Sequence, residues 1–150
     1  MWAPFLHHLT LHFPIVLSMV LAGVGLWSLR DESAQFRRLI RLGGWICFAL
    51  TSVATIAGIL AAPGWLGGEG SVGLTHHRNL GITAWVVIAV ATFGYEWGVR
   101  NNESDWRKFA VGIWCLAVFA VIGAGHWGGT ERHSGELPWS SDEAQEVPGD

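Results

Sequence analysis

Four apolar runs decide what this chain can fold into. They cover residues 13–29, 39–62, 80–99 and 109–126, and each approaches the roughly 20 helical residues that a bilayer's hydrocarbon core requires. Inside lipid a peptide group has no water to bond, so an open chain crosses only as helix. The chain is 51% hydrophobic and 14% charged, against about 25% charged for a soluble domain. The predicted fold is therefore all-α, an integral membrane four-helix bundle made of two helical hairpins. Pro14 is expected in the first turn of the first helix, where its missing N–H costs little. No Lys or Arg precedes the first run and no A-x-A-like site follows it, so the run reads as a retained helix and not a secretory signal.

Basic residues orient the bundle. Arg30, Arg37, Arg38 and Arg41 follow the first run, and Arg100, Arg107 and Lys108 follow the third; only Arg78 and Arg132 of the 9 Lys and Arg lie elsewhere. The positive-inside rule makes the first set cytoplasmic. Both termini and the glycine-rich connection after the second run are then extracytoplasmic, in a bacterial inner (cytoplasmic) membrane. Trp2, Trp65, Trp127 and Trp139 suit the outer aromatic belt, and Trp27, Trp97 and Trp106 the inner one. Residues 1–129 form the transmembrane domain. Residues 130–150 form a polar tail holding Glu131, Glu136, Asp142, Glu143, Glu146 and Asp150. No basic run interleaved with aromatics points to nucleic acid.

A weak internal repeat runs at an offset of 70: His7 matches His77, Trp27 matches Trp97, Arg30 matches Arg100 and Arg37 matches Arg107, with Phe36/Trp106 and Arg38/Lys108 in the same register. Two hairpins related by an axis along the membrane normal would give this pattern.

The 7 histidines are the chemistry-bearing residues. His7, His8 and His12 enter the first helix, His76 and His77 the third; His126 leaves the fourth and His133 follows it. The topology puts all of them on the outer side. Ionisable residues near spans tend to mark function. Two imidazoles and an apolar slot suit a b-type haem, three or four converging imidazoles a transition metal, and titratable imidazoles near water a proton relay. His12, His77 and His126 each sit at an end of a different helix at one depth, and His7 is the repeat partner of His77. These four are the candidate cofactor-binding residues, with His12, His77 and His126 as candidate ligands of haem iron. Cys47 and Cys115 form no C-x-x-C-H motif, which excludes covalent c-type haem attachment. Ser18, Ser52 and Thr55 read as helix-packing residues, and Gly23, Gly25, Gly43, Gly44, Gly58, Gly112 and Gly123 as places for close helix approach or as room for a flat cofactor. Glu96 is expected to pair with Arg100 one turn on, the alternative being that it lines a quinone pocket near the cytoplasmic side. No catalytic set is present.

His7-x4-His12-Phe13-Pro14-Ile15 resembles the H-P-x-x-V-H-F-P-I signature of a little-characterised bacterial family of four-helix membrane domains, some fused to c-type cytochromes. His77-Arg78-x-x-Gly81 is similar to the H-R-x-x-G that opens that family's third helix. Gly125-His126-x-Gly128-Gly129 is similar to the G-H-x-G-G that ends its fourth, and His133 to a histidine that often follows. His8 stands where the family has proline, and Glu131 where it has leucine. The resemblance spans the chain to about residue 135 and implies a membrane domain of respiratory electron transfer, with haem binding.

The expected function is that of a haem b-binding subunit, non-catalytic itself, between a quinone pool or partner haem and an extracytoplasmic redox subunit such as a c-type cytochrome. The alternatives are a structural or assembly subunit of a larger membrane complex, and a pigment-binding subunit of a photosynthetic complex.

Overall fold

The computed structural model describes residues 2–30, 33–61 and 72–133, with side chains described over 10–30, 33–60 and 74–129. The glycine-rich connection with Trp65, the acidic tail beyond residue 133 with Trp139, and the side chains of Trp2, His7, His8 and His133 lie outside the described residues.

The described chain is four helices: α1 (Trp2–Ser28), α2 (Ala34–Ala61), α3 (Val72–Arg100) and α4 (Ser104–His133). All four are long and apolar enough to cross a membrane. Each exceeds its apolar run, because hydropathy marks only the part that crosses hydrocarbon, whereas backbone bonding carries a helix on into the interface. At 27 to 30 residues the helices are about 40–45 Å long. α4 continues through Glu131 to His133, past the domain boundary expected at residue 129.

Pro14 is not in the first turn. α1 begins at Trp2 and runs through Pro14, which is buried. A proline forfeits one helical hydrogen bond, and in a span the remaining bonds and neighbouring helices hold the segment together. Cys47 Sγ of α2 sits 3.9 Å from the Pro14 carbonyl.

Local chemistry sets the ends at the short turns. Before α2, Ser33 Oγ accepts from Phe36 N–H at 3.4 Å, an N-cap bond. α3 closes with Glu103 N–H donating to Gly98 O at 2.8 Å and Asn102 N–H to Val99 O at 3.3 Å. Asn102 takes φ 55°. This is a Schellman arrangement with asparagine in the left-handed position that glycine usually fills. A Cβ on Gly98 would lie 2.9 Å from both Arg107 Cγ and Arg107 N, so only glycine admits α4 this close.

Neighbouring helices run antiparallel in a ring. Gly43 faces Leu21 and Gly123 faces Leu80 within the hairpins. Arg41 meets Glu96 and Ser52 meets Trp85 between α2 and α3. Gly25 meets Val111 and Gly125 meets Ile15 between α4 and α1. The core is small residues around a few large ones: Trp114 and Ile88 are fully buried, with Ala84, Ala91, Ala110 and Ala117 among their neighbours in the cluster. Large apolar side chains such as Leu60 and Phe119 are outside, each 73% exposed, as lipid-facing residues are.

The repeat is present in three dimensions. α1 and α3 start 70 residues apart, and so do α2 and α4. Buried positions follow the same offset: Pro14/Ala84, Ser18/Ile88, Leu21/Ala91, Gly25/Tyr95 and Ser28/Gly98 in the odd helices, and Ile40/Ala110, Gly44/Trp114, Cys47/Ala117, Thr51/Val121 and Ala54/Ala124 in the even ones. The pair Gly44/Trp114 meets itself: the Trp114 ring lies 3.4 Å from where a Gly44 Cβ would be, as positions beside a pseudo-two-fold axis must. Gly25 and Gly43 give close approach as expected, whereas Gly23 and Gly112 face open space.

Candidate functional site

At one end of the bundle, His76 and His126 meet the Trp127 ring, and His77 packs beside Ala124 and Gly128 of the same helix. His76 stacks on the Trp127 ring, with centroids 4.8 Å apart at 27°. His126 meets Trp127 edge-on at 5.9 Å. His77 Nδ1 lies 2.7 Å from the Ala124 carbonyl, and a Cβ on Gly128 would lie 2.7 Å from that same nitrogen. The G-H-x-G-G segment is therefore where the His77 ring packs against the α4 backbone, and Gly128 is the residue that admits it.

A carbonyl only accepts, so Nδ1 is the protonated nitrogen of His77. In the neutral ring the lone pair is then on Nε2, the nitrogen that binds metals when Nδ1 is so held. His12 and His126, by contrast, project from the exposed side of their helices. Ile15, one turn on from His12, lies 3.8 Å from the Cβ position of Gly125, which puts His12 near the same level. The structure thus brings His76 and His77 of α3 against α4 and leaves His12 and His126 on the exposed sides of their helices. His7 belongs to the first turns of α1, its side chain outside the described residues. Among the described residues no three His, Cys, Asp or Glu side chains form a group able to hold a metal ion.

The opposite end carries a site that the sequence revealed only in part. Glu96 is buried, its side chain 7% exposed, and bonds Arg100 Nε at 2.7 Å, the pairing expected from the one-turn spacing. The larger contact comes from α2: Arg41 grips the carboxylate with Nε at 2.6 Å and Nη2 at 2.7 Å. Trp45 Nε1 adds a longer bond at 3.4 Å. Such a fork matches the planes of guanidinium and carboxylate. From Trp45 an aromatic series runs along the α2–α3 seam through Phe93 and Phe48 to Trp85, and Trp85 Nε1 donates to Ser52 Oγ at 2.9 Å. Ser18 bonds within its own helix, as a packing residue does. Trp27, Trp97 and Trp106 are all exposed at this end, as an interfacial belt requires.

A groove of about 640 Å³ opens beside Glu96, and a second cleft among Ser28, Arg37, Tyr95 and Arg107 holds only about 10 Å³. No histidine lines either one. Comparison with protein-family models, with curated proteins and with solved structures found no match.

Proposed function

We propose that the chain is a haem b-binding membrane subunit that passes electrons between a quinone pool or partner haem and an extracytoplasmic redox subunit, for which a c-type cytochrome is a fitting chemistry. The observation that carries this reading is the bond from His77 Nδ1–H to Ala124 O, which fixes the ring's orientation as such bonds do for metal-binding histidines. Two imidazoles suffice for a haem iron, and His77 with one of His12, His126 and His7 would hold it. Bound there, the group supplies one-electron transfer. The arginine-bearing turns are cytoplasmic in this reading and both termini extracytoplasmic, in a bacterial inner membrane. The bias of basic residues toward the two short turns, seven of the 9 Lys and Arg, supports that orientation.

A second reading draws on the same bond. The protein would be a non-redox structural subunit whose His77 bridges α3 to α4 and whose His76–Trp127 stack stiffens that end. Reduced-minus-oxidised spectra and iron analysis of the purified protein separate the two. The haem reading expects a b-type spectrum that His77→Ala abolishes while helix content and elution profile stay unchanged. No haem absorption and no iron would overturn it in favour of the structural subunit. A chlorin spectrum indifferent to reduction would mean pigment ligation.

A further inference from the structure

The groove beside Glu96 is lined by Arg37, Arg38, Arg41 and Arg100 with that single carboxylate. Glu96 fixes two of these cations without consuming them. Arg41 commits Nε and Nη2, and Arg100 commits only Nε. Their side chains remain 43% and 69% exposed. The carboxylate therefore holds two guanidinium groups in place with donor hydrogens left over and positive charge in excess, which is what a phosphate diester needs from arginine.

The rest of the groove is apolar. Leu42, Trp45 and Val99 line it below the arginines, and Leu42, Ile46 and Trp97 are each more than half exposed on the two bounding helices. Cations at the depth of an interfacial tryptophan, above an apolar flank, match a lipid's headgroup and chains together; a soluble anion would use only the first. The pseudo-symmetric α4–α1 seam lacks the arrangement: Leu26, Val111 and Cys115 stand at the positions of Glu96, Arg41 and Trp45.

We propose that the α2–α3 groove is a binding site for an anionic phospholipid, its phosphate held by Arg38, Arg41 and Arg100 and its chains lying along Leu42, Ile46 and Trp97. This rests on the bundle spanning a membrane and not on haem binding.

Native mass spectrometry of the detergent-purified protein, titrated with phosphatidylglycerol or phosphatidylcholine, tests it. Phosphatidylglycerol should bind about tenfold or more tightly than phosphatidylcholine, and Arg38→Gln with Arg100→Gln should remove that preference. This pair spares the Arg41–Glu96 fork. Arg30→Gln with Lys108→Gln removes the same charge at the register-equivalent positions and should leave the preference intact. Equal affinity for the two lipids overturns the proposal. So does equal loss in both double variants, which would make the effect one of net charge, and so does displacement of the lipid by submillimolar inorganic phosphate, which would assign the site to a soluble anion. Circular dichroism confirms that each variant is folded.

Discussion

The two seams that join the hairpins occupy one register and have opposite chemistry. Between α2 and α3 the chain places Glu96, Arg41, Trp45, Phe93, Phe48, Trp85 and Ser52. Seventy positions away, at the α4–α1 seam, stand Leu26, Val111, Cys115, Gly23, Val118, Ile15 and Ile122. The α4–α1 seam closes by small-to-branched packing, with Val111 methyls 3.1 Å from the Gly25 Cβ position. The α2–α3 seam closes by an ion-pair fork, an indole-to-hydroxyl bond and edge-to-face rings. The α4–α1 seam packs in the same register with apolar residues at these positions, so the expectation is that the bundle can form without the fork. A buried ion pair is weak support for stability in general.

Swapping one seam's residues into the other breaks this comparison most directly. Arg41→Val alone leaves the Glu96 carboxylate with Arg100 as its remaining cation, and should lower the unfolding midpoint in detergent by on the order of 5–10 °C. Arg41→Val combined with Glu96→Leu copies the α4–α1 seam and should recover most of that loss, because replacing a whole pair by apolar residues is often neutral. A double variant no better than the single one would show that the seams are not interchangeable.

The tight turns give a smaller effect. Gly98→Ala drives a Cβ to 2.9 Å from the Arg107 backbone nitrogen, where nothing flexible can give way, and should cost about 1–3 kcal/mol. Its register partner Ser28 carries a side chain at the same place, with Oγ turned onto Gly25 O at 2.7 Å, so Ser28→Ala should cost less in the same thermal melt. Gly128→Ala should destabilise comparably to Gly98→Ala and, on the haem reading, also alter the spectrum by displacing His77.

These contrasts also mark what was legible in the residues. Four spans followed from hydropathy, and the repeat from a few matched positions, because burial on both sides of a span imposes length and register. Helix ends were not legible, since the chain from Trp2 to His12 is helical without being part of the hydrophobic run. Glu96–Arg100 was readable as a one-turn pair. Arg41 was not, because its contact depends on how α2 is rotated against α3, and helices apolar all round carry little amphipathic signal to fix that rotation. The same lack hid the outward placement of His12 and His126. His77 with Gly128 was partly readable, through the glycines beside His126 that let another group come close; which group it would be was not.

The finest test concerns a single hydrogen bond in the α2–α3 seam. Trp85 Nε1 donates to Ser52 Oγ, which itself donates to Phe48 O at 2.8 Å, whereas the register-equivalent Ile15 and Ile122 have nothing to bond. Interhelical side-chain bonds within a membrane are worth about 0.6 kcal/mol on average, because the separated helices also find partners. Trp85→Phe keeps a ring for the stack with Phe48, centroids 6.2 Å apart, and removes the donor; Ser52→Ala removes the acceptor. A double-mutant cycle on reversible unfolding should therefore return a coupling of about 0.6 kcal/mol. A coupling near zero would mean that the aromatic packing alone distinguishes this seam from its apolar counterpart, and a coupling several times larger would make the bond, and not the rings, the feature that sets the α2–α3 rotation.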